Sequence, residues 1–105
     1  MKDAEVTILG IKDKCRVDPP IVDVYLGKTV TFLSQDSDAK ISFPDSVFEN
    51  SNDCWETIYK GQPIVKTVKS TVEKRKYYYA VMCKHGDEEY WYAEGNTCPS
   101  MIVGP

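Results

Sequence analysis

Cys15, Cys54, Cys83 and Cys98, the single histidine His85, and the methionines Met82 and Met101 are the side chains of this 105-residue sequence suited to ligating a soft metal or exchanging electrons. Most of them lie near the C-terminus. Residues 76–85, the segment running to Cys98 and the closing residues 98–105 hold the only histidine, two of the four cysteines and two of the three methionines. Any metal or redox chemistry therefore belongs to this part of the chain. No two cysteines form a C-x-x-C pair, which argues against a zinc ribbon or a thioredoxin-type redox motif. An even number of widely spread cysteines in a small chain points instead to two disulfides and an oxidising compartment. The competing reading is four buried thiols packed as small apolar residues.

Other chemistry finds little support. One histidine beside a cysteine expected to be bridged makes no nucleophile and base pair with a third member, so the chain is expected not to be an enzyme. There is no Gly-rich phosphate loop and no H-E-x-x-H helix. Thirteen basic against sixteen acidic residues, a net charge of −3, give no general attraction for nucleic acid or anionic lipid. No apolar run is long enough to span a membrane, and residues 1–5 lack the apolar core of a signal peptide. The chain is thus expected to be cytoplasmic or the mature form of an exported protein, and its cysteines favour a periplasmic or secreted, extracytoplasmic location. Its length suits one domain over residues 1–105, and nothing in it sets an oligomeric state.

The elements that would position these residues read as strands. Residues 4–11 alternate, with Gly10 marking a bulge or a close backbone approach. A charged connection over 12–16 carries Cys15, and Pro19 and Pro20 interrupt any ladder. Residues 21–26 and 29–34 alternate about a tight turn at Gly27 and Lys28, and 41–43 form a short strand stopped by Pro44. Residues 44–63 read as an irregular surface loop, in which 53–59 is the only helical candidate. Alternation resumes over 64–70. Residues 76–85 are apolar or aromatic on both faces, as befits one strand at the centre of a sheet. Short strands with turns about every ten residues predict an all-β, antiparallel two-sheet sandwich.

The motifs Gly27-Lys-Thr-Val-Thr-Phe32, Ile41-Ser-Phe43, Tyr77-Tyr-Tyr-Ala-Val-Met-Cys83 and Ser100-Met-Ile-Val103 occur in an order that resembles the cupredoxins, the blue copper proteins of the plastocyanin and amicyanin type. The likeness covers roughly residues 20–105 and implies a Greek-key β-sandwich. In that family copper is held by a histidine, a cysteine, a second histidine and usually a methionine. Cys83 stands where the thiolate would be, but the first histidine's position, near Ala39 and Lys40, holds no imidazole. His85 follows Cys83 after a single residue, closer than the family's spacing. The expectation is a copper-free member with no cofactor.

Two uses of the C-terminal residues remain to be compared. A Cys83–Cys98 disulfide between the last two strands, with Cys15–Cys54 as the second bridge, is expected from an antiparallel sandwich, although other pairings stay open. In the alternative, Cys83, His85, Cys98 and Met101 meet around the last loop and hold copper or another soft metal for transport or electron transfer. Between Cys83 and Cys98, the 84–97 loop is rich in acidic and aromatic groups. Tyr90, Trp91 and Tyr92 with Glu88 and Glu89 form a candidate protein-binding surface, whose acids Asp87, Glu88, Glu89 and Glu94 favour a basic partner. The function expected is a binding or structural module.

Overall fold

The computed structural model describes residues 3–11, 14–43, 47–49, 55–85, 89–92 and 99–104, with only the backbone of residues 11, 14, 85, 89, 91 and 92. The described residues form eleven strands: β1 (Ala4–Ile11), β2 (Lys14–Asp18), β3 (Ile21–Tyr25), β4 (Thr29–Ser34), β5 (Ala39–Ser42), β6 (Glu56–Ile58), β7 (Ile64–Thr67), β8 (Lys76–Tyr78), β9 (Ala80–His85), β10 (Glu89–Tyr92) and β11 (Ser100–Gly104). Among the described residues there is no helix. The sandwich expected from the alternation is present. Its ladders are mostly antiparallel, but β1 runs parallel to β4 and β3 parallel to β11.

One layer has the order β2-β1-β4-β7. The other joins the group β3-β11-β8 to the group β10-β9-β5-β6, because β8 passes into β9 with only Tyr79 between them. Residues 76–85 are therefore not one uniform central strand. Their first part pairs with β11, while β9 lies between β5 and β10. The local alternation is continuous through this segment, so its partners could not be read from it: pairing depends on which neighbour lies alongside, not on the period. At Tyr79 the backbone N–H donates instead to Pro99 O at 3.0 Å.

Two more expectations are corrected. The connection carrying Cys15 is the edge strand β2, in which Cys15 and Val17 point inward and Arg16 outward. The helical candidate contains β6, whose backbone groups are taken by β5. The tight turn after β3 forms as expected, with Gly27 at φ 76°, a value that side-chain-bearing residues avoid.

The core follows from the alternation. Val6 and Ile8 of β1 and Val30 and Phe32 of β4 face Val22, Val24, Ile41, Val81, Met101 and Val103 of the other layer, all buried. Phe32, Phe43, Phe48 and Tyr79 pack as an aromatic cluster with centroid separations of 4.8–6.1 Å. Along one side of the sandwich the edge strands β6 and β7 are tied by Lys66 Nζ and Glu56 Oε1 at 2.8 Å. An inward-pointing charge of this kind also discourages a foreign strand from adding to β7.

Tyr79 carries a hydroxyl into the aromatic cluster with no hydrogen-bond partner among the described residues. Burial pushes its phenol well above the ordinary value of 10.0. Because the folded state raises this pKa, the stability it contributes is complete below pH 10 and lost as pH rises further, when the unfolded chain ionises. Tyr79→Phe should therefore cost no stability at neutral pH, and gain up to about 1 kcal/mol from loss of the unpaired hydroxyl. In urea melts at pH 8 and pH 11 the variant's advantage should grow with pH; a variant less stable at both would refute this account.

Candidate functional site

The strand pairings place Cys83 on β9, beside β5 and β10 and facing β1 and β2. In the β5–β9 ladder Ala39 lies directly opposite Cys83, and Ile58 of β6 lies opposite Ala39 on its other side. Ala39 is fully buried and Cys83 is 4% exposed. Across the core, β2 presents Cys15, 1% exposed, and its sulfur is bonded to that of Cys83 with a Cα–Cα distance of 5.5 Å. The disulfide thus joins the two layers of the sandwich.

This bond corrects the expected pairing. Cys83 is bridged to Cys15, not to Cys98, and Cys15 is consequently not bridged to Cys54. Cys54 and Cys98 lie outside the described residues. The expected pairing assumed that the last strand lies beside Cys83. Instead β11 pairs with β8, placing Met101 opposite Tyr77, six residues before Cys83 and on the order of 20 Å along an extended chain. The neighbour of Cys83 on that edge is Trp91 of β10.

Gly10 shows why the bridge can form. It lies opposite Cys15 in the β1–β2 ladder, and a methyl group added there would meet Ser37 Oγ at 2.7 Å, Cys83 Cβ at 3.4 Å and Cys83 Sγ at 3.5 Å. Of the bulge or close backbone approach expected at Gly10, the structure has the close approach, to Ser37 and the disulfide. The facing turn is pinned: Gln35 N–H donates to Ile8 O, Gly61 N–H to Ser34 O, Lys60 N–H to the Asp38 carboxylate and Lys84 N–H to Asp38 O, all at 2.8–3.0 Å. The Ser34 hydroxyl donates to Ser37 O. Ser37 Oγ and Asp36 Oδ2 are buried without a hydrogen-bond partner among the described residues.

The ligand set considered for a metal is not assembled. Cys83 is a disulfide sulfur, Met101 is buried in the core beside Tyr77, His85 is described only in its backbone opposite Glu89, and Cys98 lies outside the described residues. No group of three or more His, Cys, Asp or Glu among the described residues could hold a metal ion. Of the candidate binding residues, Glu88 lies outside the described residues, while Glu89, Trp91 and Tyr92 stand in register opposite His85, Cys83 and Met82. Tyr90 is half-buried opposite Lys84, with Lys40 Nζ 4.5 Å from its ring centroid. The loop expected between the cysteines thus contains a hairpin, β9–β10.

Sequence reasoning missed Ala39 and Cys15 as the partners of Cys83. The alternation of Cys15 and Val17 around Arg16, an inward-facing strand pattern, was the available signal.

This arrangement of strands is cupredoxin-like. Among solved structures, the chain is similar to a reduced amicyanin variant at TM-score 0.53 and 17% identity, covering 93% of this chain and 80% of that one. An amicyanin variant in its reduced Cu(I) form matches at TM-score 0.52 with the same identity and coverage. A Sinorhizobium pseudoazurin matches at TM-score 0.52 and 13% identity, over 99% of this chain and 76% of that one. These likenesses establish the fold alone. No family model matches the sequence, and no curated protein does. Among the described residues no helix is long and apolar enough to cross a membrane.

Two variants test the description of this site. A bond closing a loop between residues separated by 68 positions contributes on the order of 4 kcal/mol in the chain-entropy model, so Cys15→Ser with Cys83→Ser should lower unfolding stability by roughly that amount in urea melts. A loss below about 0.5 kcal/mol would contradict a stabilising bridge. Gly10→Ala should cost about 1–3 kcal/mol in the same melts through overpacking against Ser37 and the disulfide, and no measurable cost would contradict the close approach.

Proposed function

We propose that the protein is a non-enzymatic, cupredoxin-like domain without a type-1 copper site, serving as a binding or structural module outside the cytoplasm. The observation that carries this reading is the Cys15–Cys83 bond. A copper-binding cysteine must supply a thiolate, and here the sulfur at the corresponding position is covalently taken. Its cross-strand neighbour Ala39 brings a methyl group where an imidazole would be needed. The residues present do not fit the copper of the similar fold. A buried disulfide that ties two layers is also what a small domain in an oxidising compartment would use for stability.

The surface through which such a module would act is the β9–β10 hairpin, where half-buried Tyr90 is held by a lysine from a neighbouring strand. The reading is tested by thiol chemistry. Titration of the denatured, unreduced protein should find at most two free thiols, and one equivalent of copper(II) added to the folded protein should give no intense visible band. Three or four free thiols, or an intense band at one equivalent, would overturn it.

A further inference from the structure

The outward face of the group β3-β11-β8 is mostly apolar. Val22, Val24, Tyr77, Met101 and Val103 point inward and are buried, so the alternation turns Ile21, Asp23 and Tyr25 of β3, Ile102 of β11, and Lys76 and Tyr78 of β8 outward. In register, Ile21 and Tyr78 stand on either side of Ser100, and Asp23 and Lys76 on either side of Ile102. Ile21 is 53% and Tyr78 56% exposed, large apolar side chains that the fold leaves uncovered. At the end of β11 the Tyr25 ring lies against Gly104, where an added Cβ would stand 3.2 Å from Tyr25 Cε1.

The charged side chains of these three strands are one acid and one base, Asp23 and Lys76. Neither makes an ion pair among the described residues. Lys76 Nζ stands 5.8 Å from the centroid of the Tyr78 ring on the same face. Before β8, Arg75 is taken by the Glu73 carboxylate at 3.5 Å and by the Tyr77 ring at 4.0 Å, and Lys74 is exposed in the preceding bend. After β3 the turn is fastened to the other layer, Gly27 N–H donating to Val68 O and Val68 N–H to Lys28 O.

Adjacent strands lie about 4.8 Å apart, so Asp23 and Lys76 sit at equal distances to the two sides of Ile102. When two such faces meet, a twofold axis along β11 sets each Asp23 opposite the Lys76 of the other copy, Ile21 opposite Tyr78, and Ile102 against Ile102. A twofold axis across the strands would instead oppose Asp23 to Asp23 and Lys76 to Lys76, which like-charge repulsion disfavours. The face thus carries its own complement about the first axis, which also keeps the strands of the two copies aligned, as in sheet-on-sheet packing. We infer that this face pairs with the same face of a second copy of the chain, with Ile21, Ile102 and Tyr78 supplying the contact and Asp23 and Lys76 the orientation. A face three strands wide and five residues long spans roughly 14 by 17 Å, below the roughly 800 Å² per partner of stable complexes, so the dimer dissociates in the range of about 10 μM to 1 mM.

Neither the β9–β10 hairpin nor the disulfide takes part in this contact, so self-association and the binding-module reading can fail separately. Sedimentation equilibrium of the intact, unreduced protein from about 10 μM to 1 mM should show the weight-average mass rising from that of one chain toward that of two. Asp23→Lys alone and Lys76→Asp alone should each weaken association by at least about tenfold while keeping a cooperative thermal transition, because each opposes like charges twice across the contact. Exchange of both, Asp23→Lys with Lys76→Asp, should restore association to within about threefold of the parent. A general loss of folding would not be reversed by the second substitution. A mass that stays at one chain throughout, or climbs beyond two, would overturn the inference. Single variants that associate like the parent, or a double exchange no stronger than the singles, would overturn it as well.

Discussion

The structure depends on a covalent contact between its layers, the bond from Cys15 on an edge strand to Cys83 beside the centre of the opposite layer. Several features are consequences of fitting that bond into a close-packed interior. Gly10 leaves room for it from β1, Ala39 lies across from it on β5, and the turn after β4 is fastened by hydrogen bonds from three other segments. A side chain larger than a methyl group at residue 39, or any at residue 10, would compete for the same space. The surroundings of Cys83 are accordingly filled by packing and a disulfide.

The segment 76–85 shows how one stretch of chain serves two neighbourhoods. Its first part is stitched to β11 and brings Tyr77 against Met101; its second part is stitched to β5 and β10 and brings Cys83 against Ala39. Between them Tyr79 turns its ring into the Phe32 and Phe43 cluster, at the cost of a buried hydroxyl with no hydrogen-bond partner among the described residues. A sulfur-rich stretch that looks like one chemical site in sequence is thereby divided. The thioether of Met101 belongs to the core, and the sulfur of Cys83 to the interlayer bond.

Charge shows a similar contrast between order along the chain and arrangement in space. The acidic residues near the hairpin are close in sequence, whereas Lys40 and Lys84 are 44 positions apart and become diagonal neighbours only through the β5–β9 ladder. Tyr90 joins them there, with Lys40 Nζ 4.5 Å from its ring centroid. Recognition at short range responds to the local arrangement, since charges beyond about 8 Å are screened at physiological salt.

By itself the sequence determined the all-β class, most of the strands, the turn at Gly27 and the special backbone position at Gly10. These follow from alternation and backbone freedom, which are local properties. It also showed that a family-like copper site lacks an imidazole near Ala39. Tertiary structure alone decided which strands become neighbours, and with that the partner of Cys83, the split at Tyr79, the replacement of a helical candidate by β6, and the meeting of Lys40, Lys84 and Tyr90. Strand pairing is a long-range choice among edges with equivalent hydrogen-bonding groups, and period-two alternation tells a residue's face without naming the strand beside it.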